Sequence, residues 1–488
     1  MSTITQLRPG SASDDRALSP KSVLARLDRI DAWSMPFLFL GIIGTGFLFA
    51  FYDVFDINVS FIQTCVALKH RCTPANAITT LRVPVVLNLA GYVIGALILA
   101  PISDRIGRRN MLMFTMGLTG LGALYSAVAP NYTHFVLSRV VTGIGVGADL
   151  AIVNTFVGEV APRRNRSRWI SLIFIMSSLG ALLGIWLGLV LTTEPAAWPN
   201  GISFAQASPT FTNGWRWMYA IGALLAVIGI ALRVKLPESP RWLVGRGRLE
   251  EADEVVTEME RVASKHGALA PVDEDVPVDS ESFSATPFAD VLSNRVYLIR
   301  VVQLLAVWFL AYVTVFGFSA GFTSILASLK YPPPEAGLIT AVGAFGFLAC
   351  ALFAVAFSER LERKLWLPIG AAITLIGGAI VAAAGTGHLV IAFIGAGIVF
   401  FGFNIWVPMT YTLSTESFPT RARATGFGLV DGVGHLGGGI GVLVIAPLIP
   451  HLSVFGAFMA VTAFLVAAAV VAQFSLRTRG RRYEEISP

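Results

Sequence analysis

Apolar runs long enough to cross a bilayer recur along almost the whole of this chain, and they limit what it can fold into more than any other feature. A helix spanning hydrocarbon needs roughly 20 predominantly apolar residues, because every backbone N–H and C=O must be bonded within the segment where no water reaches. Twelve such segments can be counted, starting with Met35–Val59, Leu81–Ile102 and Met111–Ala129 and ending with Val390–Leu413, Ala424–Pro447 and Val454–Phe474. Composition agrees, with 55% apolar and only 14% charged residues, where a soluble chain carries about a quarter charged. The expected fold class is an all-α membrane protein of twelve transmembrane helices in two six-helix halves.

The order of segments gives the expected organisation. Residues 1–34 form a polar N-terminal segment, 35–236 a first six-helix half, 237–297 a linker, 298–476 a second half and 477–488 a tail. Basic residues cluster in alternate connections: Arg105, Arg108 and Arg109; Arg163, Arg164, Arg166 and Arg168; Arg360, Arg363 and Lys364; Arg421 and Arg423. Positive loops stay cytoplasmic, so both termini are expected inside a plasma membrane. The N-terminal stretch has several Arg and Lys but no apolar core, so it reads as no cleavable signal. The net charge of +6 is explained by these membrane-edge loops, and no nucleic-acid partner is expected. Cys65 and Cys72 flank the first outward loop, where a disulfide is one reading, and Cys350 lies within a span.

In the linker, Leu249, Ala252, Val256, Met259 and Ala263 recur at spacings of three and four, which predicts an amphipathic helix along the cytoplasmic face. The sequence also repeats. Glu159-Val-Ala-Pro-Arg-Arg-Asn-Arg166 and Glu416-Ser-Phe-Pro-Thr-Arg-Ala-Arg423 share ExxPxxxR. Asp104-Arg105-Ile-Gly-Arg108-Arg109 matches Glu359-Arg360-Leu-Glu-Arg363-Lys364 at nearly the same offset. Two motifs displaced together argue for duplicated halves around a central site.

At these residues the chain resembles the major facilitator superfamily over essentially its whole length. Ser103-Asp-Arg-Ile-Gly-Arg-Arg-Asn110 is similar to that superfamily's signature loop, and Arg139-Val-Val-Thr-Gly143-Ile-Gly145-Val-Gly147 to its RxxxGxGxG pattern. Ala100 stands where the signature loop usually begins with Gly. Pro237-Glu-Ser-Pro-Arg-Trp-Leu243 and the ExxPxxxR loops resemble the sugar-porter branch and its relatives carrying organic ions, phosphate or aromatic acids. The resemblance implies alternating access, a small-molecule substrate, no cofactor and function as a monomer.

Ionisable residues inside spans are costly unless they face water or a partner, so they are the first functional candidates. Asp53-Val-Phe-Asp56 is similar to the Asp-x-Tyr-Asp of proton-coupled aromatic-acid and phosphate carriers, and Asp56 matches the acidic residue of the sugar porters' Gly-Tyr-Asp. The resemblance implies a proton-coupling pair of Asp56 with Arg139. The alternative is a permanent ion pair. Asp149, similar to the Gly-Asp of phosphate and organic-ion carriers, reads as a second proton site or a cation contact in the substrate site, or else as a buried hydrogen-bonded carboxylate. Asp431 and His435, four apart on one helix face, read as substrate or proton contacts or as a packing pair.

Gln303, Trp308, Tyr312, Asn404 and Trp406 are further candidates for the cavity wall. Asp104, Arg105, Arg108, Glu159, Arg166, Glu416 and Arg423 lie at cytoplasmic helix ends, as gating pairs or ordinary salt bridges. The seventh span lacks the Gln-Gln and Asn with which sugar porters hold hydroxyls, which disfavours a hexose. No P-loop, metal-spaced cluster or nucleophile set argues for an enzyme or an ATP-driven pump. The expectation is a proton-linked symporter of a small organic ion or polar metabolite. A sugar or phosphate porter, an uncoupled facilitator or exporter, and a non-transporting membrane sensor remain the alternatives.

Overall fold

The computed structural model describes residues 18–30, 37–161, 166–265, 267–272, 287–419, 422–479, 481 and 486. Among them the secondary structure is helical, without a β-strand. Six long helices precede the linker: α1 (Phe37–Leu68), α2 (Ala77–Ile106), α3 (Arg108–Ala127), α4 (Tyr132–Val160), α5 (Arg166–Thr192) and α6 (Gly214–Arg233). Six follow it: α7 (Arg295–Ser319), α8 (Pro333–Phe357), α9 (Trp366–Ala384), α10 (Leu389–Glu416), α11 (Thr425–Ile445) and α12 (Val454–Ala472). Eleven of these helices are long and apolar enough to span a membrane. The exception is α3, which begins with Arg108, Arg109 and Asn110 and is diluted by Thr, Gly and Ser. The first helix continues through Leu68, past the Val59 expected from sequence, and within the extension Ser60 and Thr64 turn their hydroxyls to the carbonyls of Asp56 and Ser60, so that neither is left unbonded.

Lipid decides which faces are apolar. Phe114, Leu121 and Leu124 of α3, Leu224 and Val227 of α6, Ile376 of α9 and Val470 of α12 are exposed, as expected of helices that wet their outer faces with hydrocarbon. Helices α1 and α4 are instead buried over most of their length. The halves meet along two seams, α2 against α11 and α5 against α8, which exchange when each helix number is raised by six.

Close approach needs glycine. A Cβ at Gly143 of α4 would lie 2.0 Å from the carbonyl oxygen of Asn88 in α2, and one at Gly437 of α11 would lie 1.9 Å from that of Phe309 in α7. The RxxxGxGxG run and the Gly437–Gly441 run are therefore packing surfaces, as in other membrane helix pairs held by small residues. Where α2 meets α11 each carries a π-helical turn, Gly95–Leu99 and Gly428–Gly432. Helix α10 breaks between Gly402 and Val407, with Pro408 opening its second piece.

The linker helix Leu249–Ala263 has Glu250 and Glu251 in its first turn and Arg261 in its last, in the sense that suits the helix dipole. The helix expected in the linker is present, and its apolar face packs on protein. Ala252, Val256, Met259 and Ala263 are buried, and the helix packs on Pro240–Gly245 and on an N-terminal helix, Pro20–Asp28. Arg26 and Arg29 of that N-terminal helix hold Glu260 at 2.7 and 2.6 Å, and Arg241 pairs with Asp28.

Gly143→Ala should destabilise the purified protein by about 1–3 kcal/mol through overpacking of α2 on α4. Gly397→Ala, where a Cβ would meet nothing within 4 Å, should leave it unchanged. Thermal unfolding in detergent followed by tryptophan fluorescence checks both.

Candidate functional site

The first half concentrates its buried charge on α4. Arg139 donates from Nη1 to Asp53 Oδ1 (2.9 Å) and from Nη2 to Asp53 Oδ2 (3.1 Å) and the Asp53 carbonyl (2.8 Å). Asp56 stands 3.9 Å from Arg139 Nη1, and its Oδ1 makes no hydrogen bond. The direct partner of Arg139 is thus Asp53, with Asp56 the outlying carboxylate, reversing the order read from sequence. One helical turn separates the two acids, so α1 presents both to one guanidinium.

Asp149 pairs within its own half. Its two oxygens are forked by Arg233 of α6, with Oδ2 at 2.9 Å, and Oδ1 also accepts from the Thr115 hydroxyl at 2.9 Å. Arg233 closes the helix after the apolar run Ala220–Leu232, and its place directly after Ala231 and Leu232 was the hint that it turns inward.

The second half brings aromatic groups together around one carboxylate. Asp431, in the π turn of α11, accepts from Tyr92 of α2 at 2.8 Å and from Tyr312 of α7 at 2.5 Å. His435 Nδ1 donates to the Asp431 carbonyl at 2.7 Å, and its ring lies between Tyr92 and Tyr312, with centroids 3.6 and 3.8 Å away. Trp308 stacks on Tyr312 (4.9 Å) and Tyr411 (5.1 Å), touches Trp406 (5.4 Å), and donates from Nε1 to Ser414 at 2.9 Å. Of the sequence candidates, Trp308, Tyr312, Trp406, Asp431 and His435 meet here. Gln303 is half-buried outside the group, and Asn404 donates to the Phe400 carbonyl of its own helix. Tyr92 and Tyr411 were missed, since a tyrosine in an apolar run carries no mark of what it faces.

The two ends of the bundle are closed by different chemistry. At the end bearing the acid–Arg motifs, Arg108 holds Asp104 (2.7 Å) and Glu159 (3.1 Å), and Ser239 donates to Glu159 (2.5 Å). Arg363 repeats this in the second half, with Glu359 at 2.9 Å and Glu416 at 3.8 Å. Glu238 accepts the N–H groups of Arg108 and Ser239, each at 3.0 Å, capping α3; burial pushes its carboxyl above the ordinary range and those donors pull it back. Across the halves, the Ser167 N–H donates to Glu359 at 3.0 Å. Arg423 donates to the Thr415 carbonyl at 3.1 Å. Arg105 is exposed, and the side chain of Arg166 lies outside the described residues.

At the opposite end, Asn58 of α1 ties the halves. Its Nδ2 donates to the carbonyls of Phe318 (3.2 Å) and Ser319 (2.5 Å), and its Oδ1 accepts from the Thr323 N–H (3.3 Å) and hydroxyl (2.7 Å). These groups are free to bond because α7 stops at Ser319 and helix resumes only at Phe322–Ser328. Cys65, in the last turn of α1, forms a disulfide with Cys72 on this side.

This arrangement of two six-helix bundles with acid–Arg motifs at corresponding ends matches known proteins. The sequence profile of the sugar (and other) transporter family matches residues 35–488. The chain belongs to that family, within the major facilitator superfamily. It is therefore a multi-pass membrane transporter and not an enzyme. The niacin transporter NiaP of Acinetobacter baylyi is 27% identical over 467 residues, covering 95% of this chain and 99% of that one. The glucose transporter GlcP of Staphylococcus epidermidis is 27% identical, covering 86% and 90%. Among solved structures, the partially occluded inward-open form of the xylose transporter XylE from E. coli overlays with a TM-score of 0.67 at 20% identity, covering 91% of this chain and 99% of XylE. The last likeness concerns the fold alone.

Removing the Asn58 clasp should favour opening at its end. In Asn58→Ala, a cysteine placed at Val59, now 2% exposed, should react about fivefold faster with an impermeant maleimide, as expected for the loss of about 1 kcal/mol of net hydrogen bonding. An unchanged labelling rate would mean that the clasp does not control that end.

Proposed function

We propose that the protein is a proton-coupled symporter of the plasma membrane, with both termini cytoplasmic, that moves a small organic ion or polar metabolite by rocking its halves about a midplane site. The observation that carries this reading is that two buried carboxylates, Asp53 and Asp56, share one guanidinium, Arg139. With both acids ionised the group has one negative charge too many for a dry environment, and a single proton balances it. Asp53 is held by the fork, so Asp56, with its unbonded Oδ1, is the place for that proton.

A working cycle follows from the two closures. When the Asn58 clasp is released, water reaches α1 and Asp56 takes up a proton. With Asp56 neutral, the charge on α1 and α4 is balanced and the halves close again. When the Ser167–Glu359 contact parts, Asp56 loses its proton to the other side together with the solute. The basic loops support the assignment of that second side to the cytoplasm. Glu159 and Arg108 serve the rocking by keeping the ends of α3 and α4 rigid within their half. Arg363 serves it in the second half through Glu359, which also accepts the contact across the halves. The relatives named for niacin and glucose support a small organic solute. The scarcity of amide side chains around Asp431 favours an ion over a hexose.

The test uses proteoliposomes and whichever of nicotinate, benzoate, succinate, tetraethylammonium or D-xylose is transported. In Asp56→Asn, accumulation driven by an inward proton gradient should fall at least about tenfold, a change of about 1.4 kcal/mol in the coupling. Counterflow exchange, which moves no net proton, should persist. Undiminished accumulation in Asp56→Asn would make the pair with Arg139 purely structural.

A further inference from the structure

Among the described residues, Asp431 differs from the other buried acids of the spans in having no Arg or Lys beside it. Asp53 and Asp56 share Arg139, and Asp149 is forked by Arg233. The partners of Asp431 are two phenol hydroxyls and, at 3.8 Å, His435 Nδ1. That nitrogen already gives its hydrogen to the Asp431 carbonyl. Phenols solvate a carboxylate but do not cancel its charge, so the ionised group is a negative site that a proton or a cationic ligand would balance.

The walls of the site specify the ligand's shape. Tyr92 comes from the first half, and Tyr312 and His435 from the second. The imidazole is gripped flat, 18° from the Tyr92 ring and 39° from Tyr312, at separations that suit stacked rings. Trp308 backs Tyr312 at 4.9 Å and 22°. A slot between two aromatic faces with a carboxylate at its edge is the chemistry that recognises a delocalised cation, through the ring faces and the counter-charge together. His435 is flanked by Gly432, Gly434 and Gly437–Gly439, so few side chains of its own helix hold it in the slot.

We propose that Tyr92, Tyr312 and Asp431 bind a flat organic cation, an aromatic ring or amidine-like plane carrying delocalised positive charge, in the slot that the His435 imidazole now fills. This deepens the transport reading and rests on it. A carboxylate-bearing solute would add negative charge to a centre where Asp53, Asp56, Asp149 and Asp431 already outnumber Arg139 and Arg233, and so is disfavoured. Because the slot is built from both halves, its occupant bears on their closure.

The experiment holds ring shape constant and varies charge. Equilibrium binding of 1-methylnicotinamide (cation), nicotinamide (neutral) and nicotinate (anion) to the full chain in nanodiscs is followed by tryptophan fluorescence. The cation should bind at least about tenfold more tightly than nicotinate, with nicotinamide between them. Asp431→Asn should erase the preference for cation over neutral ring, and Tyr92→Leu should weaken both while keeping the preference. Each variant is compared in its unliganded melting temperature, so that either can stand if the other does not fold. The proposal is overturned by tightest binding of nicotinate, by no binding of either the cation or nicotinamide, or by a cation preference that survives Asp431→Asn. No proton gradient is involved, so failure here leaves the coupling role of Asp56 to the uptake assay, and failure there leaves this binding order intact.

Discussion

Inside hydrocarbon no polar group can turn to water, and each must find its partner within the protein. For the backbone this demands helix. For side chains it demands pairing, and the pairings hold the bundle in register. Arg139 and Asp149 sit on the same helix, one bonded to α1 and the other to α6, so α4 becomes the spine to which its neighbours are pinned. The same requirement explains the glycines: α2 and α4 approach until a single added methyl would strike a carbonyl, and the contact is then made by backbone instead of side chains.

The two halves spend this shared architecture differently. The first holds the charged pairs among its central helices. The second holds Asp431 and a stack of Trp308, Tyr312, Tyr411 and Trp406, with no Arg or Lys beside the carboxylate among the described residues. The division places the Asp–Arg pairs in one half and the aromatic cluster chiefly in the other, with Tyr92 crossing the seam to join it. The π turns in α2 and α11 meet at that seam, and such turns widen a helix where function needs it to deviate from regular packing.

Closure at the two ends is set by small terms. Asn58 contributes neutral hydrogen bonds to the interrupted α7, while Glu359 accepts one N–H from the other half. Hydrogen bonds of this kind contribute about 0.5–1.5 kcal/mol net each. Terms of this size are within reach of ligand binding, as exchange between two conformations requires. The triads around Arg108 and Arg363 each lie within one half and tie its helix ends together.

The sequence by itself determined the class of fold. Twenty-residue apolar runs in a chain this long leave no alternative to a helical membrane bundle, and the displaced pair of acid–Arg motifs marks corresponding helix ends that the structure places in matching triads. The candidates Asp53, Asp56 and Arg139 were legible because a charge in an apolar run has to have a reason. Tertiary structure alone decided who partners whom. That Asp53 and not Asp56 takes the fork, that Asp149 turns to Arg233, that Asn58 ties α1 to α7 and that Tyr92 reaches Asp431 across the seam all depend on helix rotation and depth. Those are fixed by packing between helices far apart in the chain, and a local pattern of apolar and charged residues carries no record of them.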